Sequence, residues 1–262
     1  MSEGNWLAPA QPGVVWFSGG DALRFLNDII SQEIGDLSPG DSRRSFLLEP
    51  QGKLRFLLWV IRDGDRYGLI TEDGRGGELA SALGRYRIRV DVEITEEEGG
   101  AWIVVGEWDG YDVSWPGVAR TLVIGGRPDL PEGLEEEYEQ LRVSAGEPKW
   151  GVDVDESTIP HESGLVPASV DFTKGCFLGQ ELVARIDSRG GNTPRHLLHL
   201  RSGHAISPGE VVTADGEEVG VVSSAGDGLA LAMLKRSVSV GDSVEVAGEH
   251  AVVEDLPSKT QA

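Results

Sequence analysis

The chain has 262 residues, 39% hydrophobic and 26% charged, and its 23 Lys and Arg against 44 Asp and Glu leave a formal net charge of −21. That length and composition suit a soluble globular protein able to bury a core without disulfide or metal staples, and so acidic a surface repels polyphosphate, which argues against generic nucleic-acid binding. A single cysteine, Cys176, excludes an intrachain disulfide and any metal or cluster site built from cysteines of this chain alone.

No apolar run approaches the roughly 18 residues that mark a membrane span, and residues 1–12 lack the basic start and apolar stretch of a signal peptide. A cytoplasmic protein without membrane contact is expected. In chain order, residues 14–17 predict a strand and Ser18-Gly19-Gly20 a turn. Asp21 is the expected N-cap of a helix reaching residue 30, with Leu23, Leu26, Ile29 and Ile30 as its apolar stripe. Strands are predicted at 46–48, 54–61 and 67–71, the last two joined by Asp63-Gly64-Asp65. A helix at 77–83, a strand at 86–94 and an acidic loop at 96–100 follow. On that strand Arg85, Arg87 and Arg89 would alternate with Tyr86, Ile88 and Val90 and share one face, either lining a cleft for carboxylates or forming the wet side of an edge strand.

Strands at 102–105, 111–114 and 119–124 lead to Pro128 and Pro131. Residues 132–143 then predict a helix whose early glutamates suit the helix dipole. From residue 195, five short strands punctuated by Asp215-Gly216 and Gly241-Asp242 predict a small barrel or sandwich. The architecture expected is α+β, with a β-rich domain over residues 195–262.

The 36 glycines form no G-x-G-x-x-G, no G-K-[ST] occurs, and no G-x-S-x-G elbow exists. His196 and His199, three apart on a predicted strand, point to opposite faces. Nucleotide-loop chemistry, a serine triad and a metal site are therefore unsupported. The segment Asp171-Phe172-Thr173-Lys174-Gly175-Cys176-Phe177-Leu178-Gly179-Gln180-Glu181 differs. Its thiol follows Lys-Gly and opens a predicted helix over 178–186, and both a helix N-terminus and a nearby ammonium favour thiolate. Gly175 and Gly179 allow a sharp turn and close backbone approach. A buried, inert cysteine fits the same spacing, and both readings stay open. Residues 174–201 also carry Lys174, Arg185, Arg189, Arg195 and Arg201 against Glu181 and Asp187. In an acidic chain that local excess either attracts an anionic ligand or balances the surface.

Lys174-Gly175-Cys176-Phe177-Leu178-Gly179-Gln180-Glu181 resembles the K-G-C-[YF]-x-G-Q-E signature of the YgfZ family, folate-binding relatives of the glycine-cleavage T-protein, an aminomethyltransferase. The resemblance extends over residues 14–255. Phe25-Leu26-Asn27 and Ser31-Gln32-Glu33-Ile34 are similar to the family's first helix and its T-x-D-V ending, with Glu33 in place of the aspartate. Pro50-Gln51-Gly52-Lys53, Arg85-Tyr86, residues 141–148 and residues 153–165 with Ile159-Pro160-His161-Glu162 are similar to further family segments.

The resemblance implies a T-protein-like cloverleaf of three lobes: a folate-binding, aminomethyltransferase-like region over residues 1–194, made of two interleaved α+β lobes, and a C-terminal β-barrel over 195–262. It implies tetrahydrofolate or a derivative as ligand, with Tyr138 stacking on the pterin and Arg142, Glu162 and Arg185 as further contacts. A second family tryptophan falls near Pro12, where Trp6 or Trp16 could substitute. The T-protein Asp-Asp pair is replaced by Phe56 and Leu57, which cannot accept a proton, and Ser144 stands where those enzymes hold a glutamate against the pterin. Aminomethyl transfer is thereby disfavoured.

The role implied is a folate-dependent accessory in iron–sulfur cluster assembly or repair, supporting cluster enzymes that include tRNA-modifying ones. Cys176 would be the working thiolate, Lys174 its activator, and assembly or client proteins the partners. A folate-dependent one-carbon transferase and a non-catalytic folate-sensing scaffold are the alternatives.

Overall fold

The computed structural model describes residues 4–257; the outer ends of the two sequence-drawn regions, 1–3 and 258–262, lie outside the described residues. The chain forms two compact units. The first takes the residues up to Gln51 with Arg55–Glu135 and Ala168–Gln180; the second takes Gly52–Leu54, Glu136–Pro167 and the chain from Glu181 onward.

The first unit contains β1 (Trp6–Leu7), β2 (Gly13–Ser18), α1 (Ala22–Asn27), β3 (Ser42–Leu48), β4 (Leu54–Asp63), β5 (Arg66–Thr71), α2 (Gly76–Gly84), β6 (Glu93–Glu96), β7 (Ala101–Val105), β8 (Tyr111–Asp112) and β9 (Arg120–Ile124). They make a five-stranded sheet of order β3-β4-β5-β2-β6 and a four-stranded sheet of order β1-β7-β9-β8. As an inner strand, β2 is buried on both faces, so its apolar run does not alternate. Val15 and Phe17 join Phe25 and Leu26 of α1 and Leu79 and Leu83 of α2 in one core. Trp16, on the other side, donates its indole N–H to Glu97 at 2.7 Å and lies under the Arg66 guanidinium. The start of α2 packs directly on β2, where a Cβ on Gly13 would stand 2.6 Å from the Gly76 amide nitrogen.

Two expectations need correction here. Helix α1 ends at Asn27 rather than residue 30, because Ile30 is drawn into an antiparallel bridge with Leu47. The strand expected over 86–94 is mostly irregular: Arg89 takes a left-handed φ of 57°, which breaks extension, and only β6 pairs, with β2. Arg85, Arg87 and Arg89 therefore share no strand face.

The second unit contains α3 (Glu135–Ser144) from its second residue, a 3-10 turn (Pro160–Ser163), the first half of the single turn α4 (Val166–Ser169), and α5 (Gln180–Asp187) from its second residue. Its strands are β10 (Arg195–Ser202), β11 (Val211–Ala214), β12 (Glu217–Gly226), β13 (Leu229–Lys235), β14 (Ser243–Val246) and β15 (Glu249–Glu254). The strands close a barrel of order β10-β13-β12-β11-β14-β15, with β15 returning to β10 at Leu200 and Val253. Closure removes the free edges that an open sheet would expose. Asp215-Gly216 turns the β11–β12 hairpin with both residues at positive φ, 51° and 78°, the geometry that matches strand twist. The sixth strand, β15, was not expected from sequence. Along β10, Leu198 and Leu200 fill the barrel core, while Leu197 packs with Val143, Leu231 and Leu256. His199, on the Leu197 face, hydrogen-bonds the Val143 carbonyl at 2.6 Å, and burial holds its imidazole below the usual range.

Candidate functional site: the Cys176 loop

Cys176 is exposed, on a loop tied down at both ends. Upstream, the Asp171 amide donates to the Ser31 carbonyl at 3.1 Å. The Asp171 carboxylate accepts from the Thr173 amide and hydroxyl, both at 2.7 Å, and from the Lys174 amide at 3.2 Å. Those bonds hold that carboxyl below its usual range, the Thr173 hydroxyl contributing most. Downstream, the Phe177 amide donates to the Gln180 side-chain oxygen at 2.9 Å, and the Gln180 amide donates back to the Phe177 carbonyl at 3.3 Å. Phe177 is buried, and Leu178 packs on the core of the first unit. The thiol thus sits between two anchored turns, which limits the conformational entropy lost when a partner engages it.

Lys174 supplies the strongest anchor. Its ammonium donates to the Gln32 carbonyl at 2.8 Å, the Ile30 carbonyl at 3.0 Å and the Asn27 side-chain oxygen at 3.3 Å. Burial drives its pKa down to about 8, against the opposing pull of Glu33, Asp171 and Asp28. Glu33 completes the cradle: its carboxylate accepts from the Asn27 amide at 2.6 Å and the Gly35 backbone at 2.7 Å. Burial opposes its charge, but these bonds and Lys174 hold its pKa below the ordinary value. The chain that leaves α1 early therefore presents the carbonyls that receive Lys174. Sequence reasoning named Lys174 but missed Asn27, Ile30 and Gln32, two of which act through backbone oxygens that carry no sequence signal.

Helix α5 begins at Gln180, not at residue 178, so Cys176 lies ahead of it. The helix-dipole effect falls off within about one turn of the helix end. The two motif glycines also differ. Gly179 is buried at φ 78°, a left-handed conformation that costs other residues roughly 1–2 kcal/mol. Gly175 is exposed, and a Cβ there would meet nothing within 4 Å, so it makes no close backbone approach. Gly179→Ala is expected to lower stability by about 1–2 kcal/mol and Gly175→Ala to leave it unchanged, as read from thermal or urea unfolding.

The residues carried over for folate all lie in the second unit. Tyr138 is buried on α3. Arg142, 3% exposed, donates to Glu139 at 2.8 and 3.0 Å, to Asp153 at 2.7 Å, to the Glu147 carbonyl at 2.5 Å and to the Ser224 hydroxyl at 2.6 Å. Glu162, also buried, accepts from the Ile159 amide at 3.0 Å and pairs with Arg195 at 3.2 Å. Arg185 and Glu181 are exposed on α5. Arg142 and Glu162 thus spend their polar groups inside the protein. Trp6 and Trp16 are likewise buried. Of the basic excess over 174–201, Lys174 is enclosed by oxygens, Arg195 faces Glu162, and Arg201 pairs with Glu254 at 2.6 Å. Phe56 is buried beneath the Arg75 guanidinium at 4.2 Å.

Residues 195–261 match the family model described as the CAF17 C-terminal beta-barrel domain. Over 227 residues the chain is 27% identical to a protein of Mycosarcoma maydis named iron-sulfur cluster assembly factor IBA57 homolog, mitochondrial; the match covers 72% of this chain and 56% of that protein. A protein of the same name from Cryptococcus neoformans is 26% identical over 246 residues, covering 73% and 64%. The chain thus spans less than two thirds of these fungal relatives. Among solved structures, the glycine cleavage system aminomethyltransferase T from Bartonella henselae is similar with a TM-score of 0.83 at 19% identity, covering 97% of this chain and 86% of that one. The chain has the T-protein fold with a CAF17-type C-terminal barrel, and in sequence it is similar to proteins named as iron–sulfur cluster assembly factors.

Proposed function

We propose that this protein is an accessory factor for iron–sulfur cluster assembly or repair that works through Cys176. One observation carries the reading: in a chain similar to assembly factors, the lone thiol is exposed on a loop fixed from both sides by Lys174 and Gln180. A single thiolate cannot hold a cluster, so Cys176 supplies one ligand or a transient sulfur contact while a partner protein or an exogenous thiol supplies the rest. The signature motif supports the finer YgfZ-like reading, in which the clients are cluster enzymes that include those modifying tRNA. Phe56 under Arg75 leaves no carboxylate at the position where T-proteins assist transfer, which favours an accessory over an aminomethyltransferase.

Tetrahydrofolate belongs to this proposal through the resemblance and the T-protein fold alone. Of the contacts that the resemblance implies, Arg142 and Glu162 are committed internally, and Tyr138 and Arg185 stay the proposed ones. The deciding experiment expresses the chain in cells that lack their own factor of this kind and assays cluster-dependent enzymes beside cluster-free controls. Recovery confined to the cluster enzymes is expected; failure to restore them at normal expression overturns the assignment. Calorimetric titration with tetrahydrofolate separately tests the ligand.

A further inference from the structure

His161, in the Pro160–Ser163 turn, has a side chain only 7% exposed. Neither of its ring nitrogens has a hydrogen-bond partner among the described residues. Buried polar side chains are rarely left so, and an unpaired one costs stability. Its Nε2 stands 4.0 Å from Oδ1 of Asp187, the half-exposed last residue of α5. That is beyond hydrogen-bond reach but close enough for strong attraction once the ring carries charge.

The chain after Asp187 comes close to this ring at Gly191. Gly190 and Gly191 adopt left-handed φ values of 80° and 71°. Their amides donate to the Asp187 carbonyl at 2.9 Å and the Ile186 carbonyl at 3.0 Å, closing α5 in the glycine-rich manner common at helix ends. A Cβ on Gly191 would come within 3.9 Å of His161 Cδ2. Glu162, on the same turn, pairs with Arg195 of β10 and caps Ile159. Asp187 is the carboxylate left to answer His161.

We propose that His161 and Asp187 form a protonation latch. With the imidazole neutral, the two groups stand apart. When the ring takes a proton from solvent, the imidazolium draws the Asp187 carboxylate into an ion pair that holds the last turn of α5 and residues 188–191 against the Pro160–Ser163 turn. Burial lowers the imidazole pKa from its ordinary value, and Asp187 pulls it back up. The ring is therefore neutral at and above neutrality, and the latch closes on the acid side. This device is independent of the chemistry assigned to Cys176, although α5 begins with the motif residues Gln180 and Glu181.

The test follows the His161 ring by NMR and the backbone amides of residues 188–191 by hydrogen exchange across its titration, corrected for the intrinsic pH dependence of exchange. In the wild-type protein, exchange of those amides should slow several-fold as the ring protonates. In Asp187→Asn, a substitution at a half-exposed position, His161 should titrate at lower pH and the extra protection should vanish. His161→Gln should abolish the pH response, with circular dichroism confirming that the variant is folded. Protection that stays flat with pH in the wild type, or rises equally in Asp187→Asn, overturns the latch.

Discussion

Arg142→Leu is expected to destabilise the second unit by about 3–5 kcal/mol, the usual cost of removing one partner of a buried ion pair. The Arg142 guanidinium spreads its donors over two carboxylates, a carbonyl and a hydroxyl. Its main partner, Asp153, has a fully buried side chain that also accepts from the Lys149 amide at 2.8 Å and from both Ser223 and Ser224 of β12. Take away the guanidinium and the carboxylate stays desolvated with only neutral donors. The loss should show as a lower urea midpoint at an unchanged denaturant slope. Asp153→Leu combined with Arg142→Leu should recover part of the loss, because the stranded charge is then gone. A single variant that unfolds within about 0.5 kcal/mol of wild type, the range of an ordinary surface change, would show that the network contributes little.

The same network marks where sequence stops being informative. In a regular strand Ser223 and Ser224 would point to opposite faces. The register shift between Val222 and Ser224 inserts an extra residue, and a bulge of this kind re-aims side chains, so both hydroxyls reach Asp153. No local pattern announces that. The strands of the barrel were legible because apolar alternation and Asp-Gly turns are short-range signals, and β14 falls on its predicted residues. What failed was set by tertiary pairing: α1 loses its last turn to the Ile30–Leu47 bridge, and the segment bearing Arg85, Arg87 and Arg89 cannot extend past the left-handed Arg89. At the site, the Cys176 motif was plain from its spacing and the exposure of its sulfur was not. Arg142 looked available for an anion because the sequence does not show that Asp153 and Glu139 surround it.

Cys176→Ala is expected to abolish rescue of cluster-dependent enzymes while leaving the protein as stable as wild type. The side chain is exposed, and substitutions at such positions usually stay within about 0.5 kcal/mol. Loss of function without loss of Tm would therefore belong to the sulfur itself. Lys174→Met separates chemistry from positioning. It keeps the thiol but leaves the Ile30 and Gln32 carbonyls and the Asn27 oxygen without their ammonium. Stranding such acceptors costs about 1–3 kcal/mol, and the loop over residues 171–179 should become easier to cleave by protease. Rescue should fall with Lys174→Met in proportion to loop loosening and be absent with Cys176→Ala at an unchanged Tm. Full rescue by folded Cys176→Ala would remove the thiol from the mechanism, whatever Lys174→Met does.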